Sequence, residues 1–163
     1  REYLHLGKWE QAIEMISRYL KLPTATWREE RCAAMRGIGY SYHQLRNLPL
    51  AYAWYYRAVA EMPAMWEPYV EFARMAYELS DWSTAFYMSN EALKIINKSP
   101  YYINIGYAWD HTPDDFCAIA CYRLGLYDVA LEHAKKAADL SPGDARLKEN
   151  VKSIEAKIAE REE

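Results

Sequence analysis

An all-α solenoid of antiparallel helix pairs, closed by a C-terminal capping helix, is the fold this sequence predicts, and three observations carry it. Small residues recur at fixed offsets: Gly39, Ala51 and Ala58 are answered 34 residues later by Ala73, Ala85 and Ala92, and 45 residues beyond these stand Ala118, Ala130 and Ala137. The segment Gly7-Lys8-Trp9-Glu10-Gln11-Ala12 is repeated as Gly125-Leu126-Tyr127-Asp128-Val129-Ala130. Gly and Pro are sparse and long Val/Ile/Thr alternations are missing, which disfavours β architectures. A fixed period of this size means stacked copies of one supersecondary unit. The small residues mark close helix crossings, with Met35, Ile38, Leu45, Phe72, Cys117 and Leu124 expected to fill the space around them.

The elements follow in order. Residues 1–7 read as the tail of a helix whose partner is 8–20; the chain opens inside that helix and without Met, as a fragment of a longer protein would. The next pair, 27–45 and 49–61, is entered through the capping box Thr26-Trp27-Arg28-Glu29. A third pair spans 68–78 and 83–96. The fourth, 113–124 and 126–138, starts at Thr112-Pro113, where Asp114 and Asp115 complement the helix dipole and complete a Thr-x-x-Asp cap. A last helix, 144–160, carries Leu147, Val151, Ile154 and Ile158 on one stripe, as the polar-backed cap of a solenoid requires. The resulting organisation is a solenoid over 1–143 and a capping helix over 144–163. Within the solenoid lie a partial first repeat at 1–23, repeats at about 26–63, 66–97 and 112–142, and an aromatic insertion at 98–111.

Composition narrows the function. The 163 residues include 15 Tyr and 6 Trp against 3 Phe, a bias towards half-buried sites, interfaces and groove walls. A net charge of −3, with basic residues interleaved among acids, gives no field for a nucleic acid. No apolar run reaches the ~20 residues of a membrane span. Three cysteines make no disulfide framework, which points to a reducing, cytoplasmic setting. Cys117 and Cys121, one turn apart near His111, offer three of the four ligands a structural zinc needs and read as small core residues. His5, His43 and His133 are scattered, and no catalytic triad, phosphate loop or carboxylate pair can be read. The expectation is a non-catalytic segment without metal or cofactor.

The stretches LGKWEQAI, GYSYHQLRNLPLAYAWYYRAVAEMP, DWSTAFYMSNEALKI and YRLGLYDVALEHAKKAADLSP resemble the tetratricopeptide repeat, a helix–turn–helix unit of 34 residues. The resemblance implies a right-handed superhelix. Two departures are local: Arg46 stands where the turn usually has Gly, and Asn97 replaces the closing Pro of the third unit. In such solenoids the first helix of each pair lines the concave side. Helical spacing puts Arg36, Tyr40, His43 and Gln44 there in the second unit, Arg74, Tyr77 and Glu78 in the third, and Asp115, Ile119, Tyr122 and Arg123 in the fourth. Tyrosines beside arginines can stack on a protein or peptide ligand and hydrogen-bond to it. Chaperone-binding members of the family clamp a C-terminal carboxylate with lysine and asparagine; at the matching positions Arg36, Tyr40, Glu71, Thr112 and Phe116, only Arg36 keeps suitable chemistry.

Between Ile96 and Pro113 the chain carries 11 residues beyond the repeat, holding Tyr101, Tyr102, Tyr107, Trp109 and His111. Insertions in solenoids cluster on one face, so these rings either meet a partner or plug the gap the insertion opens. A narrower resemblance, carried by Leu22-Pro23, Trp27, Glu30-Arg31, Glu67-Pro68, Trp82, Trp109 and Pro113, is to the tetratricopeptide region C-terminal to the catalytic domain of bacterial family 2 glycosyltransferases. It implies a non-catalytic appendage that positions the acceptor or joins subunits, its neighbour being a transferase domain in the same chain. The alternatives are a free-standing adaptor or scaffold, and a self-association module forming a homo-oligomer.

Overall fold

The computed structural model describes residues 2–98, 100 and 104–162. Among them are nine α-helices and no strand: α1 (Glu2–His5), α2 (Trp9–Leu20), α3 (Arg28–Gln44), α4 (Leu48–Glu61), α5 (Trp66–Glu78), α6 (Trp82–Leu93), α7 (Thr112–Arg123), α8 (Tyr127–Leu140) and α9 (Ala145–Glu162). One 3-10 turn, Gly106–Trp109, lies between α6 and α7. Each helix packs on the next, so the chain stacks as successive pairs, α3 on α4, α5 on α6 and α7 on α8.

The recurring small residues sit where the helices touch. Ala51, Ala58, Ala73, Ala85, Ala92, Ala118, Ala130 and Ala137 are all buried. At Gly39 a methyl group would come within 3.0 Å of the buried Tyr55 ring, so any side chain there requires that ring to give way. Met35, Ile38, Phe72 and Cys117 fill the surrounding core as expected. Leu45 and Leu124 do not: they are 36% and 40% exposed. Both are the C-cap residues of their helices, beyond the crossing, where the chain already turns away.

Between paired helices the backbone makes one turn four times. After α1, α3, α5 and α7 a residue with positive φ follows: Gly7 (67°), Arg46 (61°), Ser80 (58°) and Gly125 (77°). In each case the next amide donates to a carbonyl five residues back, as Asn47 N to Tyr42 O at 2.9 Å and Leu126 N to Cys121 O at 2.9 Å. This is the Schellman closure, which satisfies carbonyls the helix end would otherwise leave unpaired. Where glycine is missing, the residue that follows compensates. Asn47 and Asp81 accept from Leu50 N (3.4 Å) and Thr84 N (3.2 Å) and so cap the second helix of their pair.

Two expected caps are not made. The residue preceding α3 is Trp27 rather than Thr26, and no side chain caps that end. At α7, Thr112 is already helical, and its amide is taken by Asp110 Oδ1 at 2.7 Å. Asp114 and Asp115 look across the fold instead. Asp114 Oδ1 lies 2.7 Å from His133 Nδ1 on α8. Asp115 accepts from both Nη atoms of Arg146, at 3.1 and 2.8 Å, and from Asn150 Nδ2 at 3.2 Å. The acids of the first turn thus bind α8 and α9, while Leu147 and Ile154 of α9 are buried.

Relieving the left-handed strain at the exposed Arg46 or Ser80 is expected to outweigh glycine's entropy cost. Arg46→Gly and Ser80→Gly should each stabilise by about 0.5–1 kcal/mol, and Gly125→Ala should destabilise by about 1 kcal/mol, read from urea unfolding midpoints at constant slope. Asp115→Asn, which breaks a bidentate pair whose arginine is half exposed, should cost about 1–2 kcal/mol. Amide exchange should quicken in α9 before it does in α3.

Candidate binding groove

The first helices and the insertion enclose a groove of about 910 Å³. His5 at the end of α1, Trp9 opening α2, Arg36 and Tyr40 on α3, Glu71 and Arg74 on α5, and Asn104 in the insertion line it. Glu71 and Arg74 stand at i and i+3, so one face of α5 turns to the groove.

Its floor is an ion pair. Arg36 is only 5% exposed, and its Nη1 lies 3.1 Å from Glu71 Oε2. Burial is the largest influence and acts to lower its pKa, but Glu71, Cys32, Glu67 and Tyr107 together outweigh it and hold the guanidinium above its ordinary value, so the charge persists. Nη1 faces the Glu71 carboxylate, while Nε, also buried, has no hydrogen-bond acceptor among the described residues. A buried donor left unpaired costs roughly 1–3 kcal/mol. Glu71 also receives the Tyr107 hydroxyl at 3.3 Å. Burial pushes that phenol up, and Glu71 adds to it.

The wall above is a stack. The Arg74 guanidinium sits 5.9 Å from the Tyr40 ring centre and 5.3 Å from that of Tyr107, while Trp9 meets Tyr40 edge-on at 5.5 Å. Tyr107 therefore belongs to the groove as much as to the insertion. Trp9 and Glu71 also line it. Trp9 carries a repeat-packing signature, and Glu71 could have been picked out by its helical spacing from Arg74.

The remaining expected groove residues divide between two other places. His43, Gln44 and Glu78 surround a smaller hollow of about 300 Å³ with Arg46. His43 is buried, and that burial holds its pKa below the ordinary value despite Glu78 at 3.8 Å, so the contact joins a neutral ring to a carboxylate at neutral pH. Tyr77, Ile119, Tyr122 and Arg123 border a third hollow with Asn150, Ser153 and Ile154 of α9. Tyr77 stacks on Phe116 at 5.0 Å and meets Trp82 edge-on at 5.7 Å, so its ring serves the core. Tyr122 packs near Tyr127 at 5.4 Å, and Arg123 covers Trp82 at 5.6 Å. Asp115 is buried and held by Arg146. The expected continuous wall is divided by side chains that satisfy one another.

The insertion is fastened by one buried carboxylate. Glu67 is 0% exposed, and its Oε1 accepts from Ile105 N at 3.2 Å and Trp109 Nε1 at 2.8 Å. Trp109 stacks on Trp66 at 4.3 Å, and Trp66 Nε1 donates to Ile95 O. Tyr107 and Trp109 thus pack on α5, and His111 caps α7 without a side-chain bond. Tyr101 and Tyr102 lie outside the described residues. Cys117 and Cys121 are buried, and burial pushes the Cys121 thiol to about 11 and that of Cys117 higher. Among the described residues no three His, Cys, Asp or Glu side chains are grouped to hold a metal ion, and no helix is long and apolar enough to cross a membrane.

No family model matches the sequence, and no curated protein sequence matches it. Among solved structures, the tetratricopeptide-repeat domain of OM64 from Arabidopsis matches with a TM-score of 0.62, covering 78% of this chain and 96% of that domain at 18% identity. At that identity the likeness is one of fold, and it agrees with the paired helices and their recurring turn: the chain folds as a tetratricopeptide-like helical solenoid.

Proposed function

We propose that this chain is a non-catalytic interaction module that binds a protein or peptide in the groove between α3, α5 and the insertion. The observation that carries this reading is the groove itself. Arginine, tyrosine and tryptophan, the residue types richest in binding hot spots, converge on one hollow of about 910 Å³. A tetratricopeptide-like solenoid supports it, because this architecture offers extended concave surfaces rather than an interior site. The finer proposal is that the module belongs to a family 2 glycosyltransferase, where it positions the acceptor or joins subunits in the cytoplasm. That rests on the resemblance at Glu67-Pro68, Trp82, Trp109 and Pro113. Strand–helix alternation with an Asp-x-Asp motif in the full reading frame upstream would support it; further repeats there would make the chain an adaptor.

The test separates groove from scaffold. Tyr40→Ala and Arg74→Ala should keep the helical circular dichroism and weaken the partner, measured by calorimetry, at least about tenfold, or ~1.4 kcal/mol. Tyr87→Ala, exposed on α6, should leave affinity unchanged. The reverse pattern would move the binding surface to the second helices. A concentration-dependent dimer in sedimentation, abolished by the same groove variants, would identify the partner as another copy. Tyr77→Ala should instead lower stability, by about 2–3 kcal/mol, because it opens a cavity against Phe116.

A further inference from the structure

We infer that Arg74 is the anchor for an acidic side chain of the bound protein or peptide, one that carries apolar neighbours. This rests on the groove reading above and adds the chemistry of its ligand. Arg74 lines the groove and is half-buried, and among the described residues no hydrogen bond or ion pair reaches it. None of its nitrogens belongs to the buried atoms that lack a partner, so its donors, in contrast to those of Arg36, are open to the groove. The two ring contacts, to Tyr40 at 5.9 Å and Tyr107 at 5.3 Å, do not replace an acceptor. A ring face answers part of the charge but does not supply the pair of oxygens that the guanidinium fork matches.

The acids on either side of Arg74 along α5 are committed elsewhere. Glu71, three residues before it, sets Oε2 3.1 Å from Arg36 Nη1 and accepts the Tyr107 hydroxyl on Oε1 at 3.3 Å. Glu78, four residues after it, is turned to His43 at 3.8 Å. Arg36 and Glu71 cancel as a pair, and with His5 counted neutral the charged lining of the groove keeps one positive charge, on Arg74. At contact range that single charge outweighs the field of a neutral pair, so the complementary group is an anion with two oxygens.

The setting of the donor selects a side chain over a chain end. Arg74 is half-buried with two rings against it, and a carboxylate on a stem of one or two methylenes reaches such a donor while its main chain stays at the rim. A terminal carboxylate would have to bring the last peptide group with it and strip water from that group's amide and carbonyl. The rest of the lining says what stands beside the acid. Leu4, Leu6 and Ile105 border the same hollow, and Leu6 is 59% exposed, so apolar flanking residues would cover surface now open to water.

The probes are three peptides, titrated into the whole chain while the Arg74 Nε–H signal is followed by nitrogen-15 NMR. They are acetyl-Ala-Leu-Glu-Leu-Ala amide, the same peptide with Gln for Glu, and that Gln peptide with a free C-terminal acid. In the wild type the Glu peptide should move the Arg74 signal saturably, bind about tenfold tighter than the Gln amide, and bind tighter than the free acid. Arg74→Gln, with helical circular dichroism retained, should bring the Glu and Gln amides within about twofold of each other. A wild-type preference for Glu over Gln below about threefold overturns the inference, as does a preference that survives in Arg74→Gln. So does an Arg74 signal that no peptide moves at millimolar concentration. A free acid that equals or beats the Glu peptide puts a chain end on Arg74 and overturns it as well. If Arg74→Gln fails to fold, the wild-type comparison still decides. Equal binding of all three peptides, with Tyr40→Ala still weakening the partner, would remove this inference and leave the groove as the binding surface.

Discussion

The closeness of paired helices is the constraint from which most of this structure follows. Alanine or glycine stands buried at each crossing, and the Tyr55 ring packs so near Gly39 that an added methyl group would come within 3.0 Å of it. Volume excluded from the crossings must be filled between pairs, and there the aromatic residues collect. Tyr55 stacks on Phe72 at 5.4 Å, and Tyr77 stacks on Phe116. Tyrosine suits such layers, because its ring can pack in the core while its hydroxyl reaches a polar group. A ring that begins in the core ends near a polar group, and its hydroxyl must find a partner: Asp81 for Tyr52 at 2.7 Å, Pro63 O for Tyr69 at 3.1 Å, Glu71 for Tyr107.

The same economy explains the insertion. Eleven extra residues between α6 and α7 break the period, and their polar main chain has to be satisfied against a solenoid already closed by its own hydrogen bonds. One buried carboxylate, Glu67, supplies acceptors for both Ile105 N and Trp109 Nε1, and the Trp66–Trp109 stack shields it. Fastened there, the insertion delivers Tyr107 to Arg74 and Asn104 to the groove edge. A segment that interrupts the repeat thus becomes one wall of the binding surface. Of the residues that carry the narrower family resemblance, Glu67 and Trp109 make this fastening.

What could be read in the sequence was whatever repeats locally. The crossing alanines gave every long helix, and the stripe Leu147, Val151, Ile154 and Ile158 gave α9, because both depend on spacing along one segment. Arg46 in the glycine position was visible for the same reason; that it adopts positive φ, and that Ser80 does too, depends on a turn geometry imposed by the pair. Asp114 and Asp115 were misread as a local cap because their partners, His133 and Arg146, lie 19 and 31 residues away. In the groove, Arg36, Tyr40 and Arg74 were legible from helical facing. Their mutual pairing with Glu71 and Tyr107 was not, since it requires the insertion to fold back over α5, which no periodicity encodes.

That pairing shapes how the groove can recognise anything. Isolated charges on a concave wall would attract ligands from a distance and lose grip as salt rises. Here each charge is already met: Arg36 by Glu71, Arg74 by two rings, Asp115 by Arg146, with a chain-wide net charge of only −3. Little long-range field is left to steer an encounter, so discrimination falls to short-range terms, the fit to an ion-paired floor beneath an aromatic wall. Rigidity is what makes those terms effective. A guanidinium already in contact with two tyrosine rings has less rotamer freedom to lose, and a ligand that reaches it has less to order.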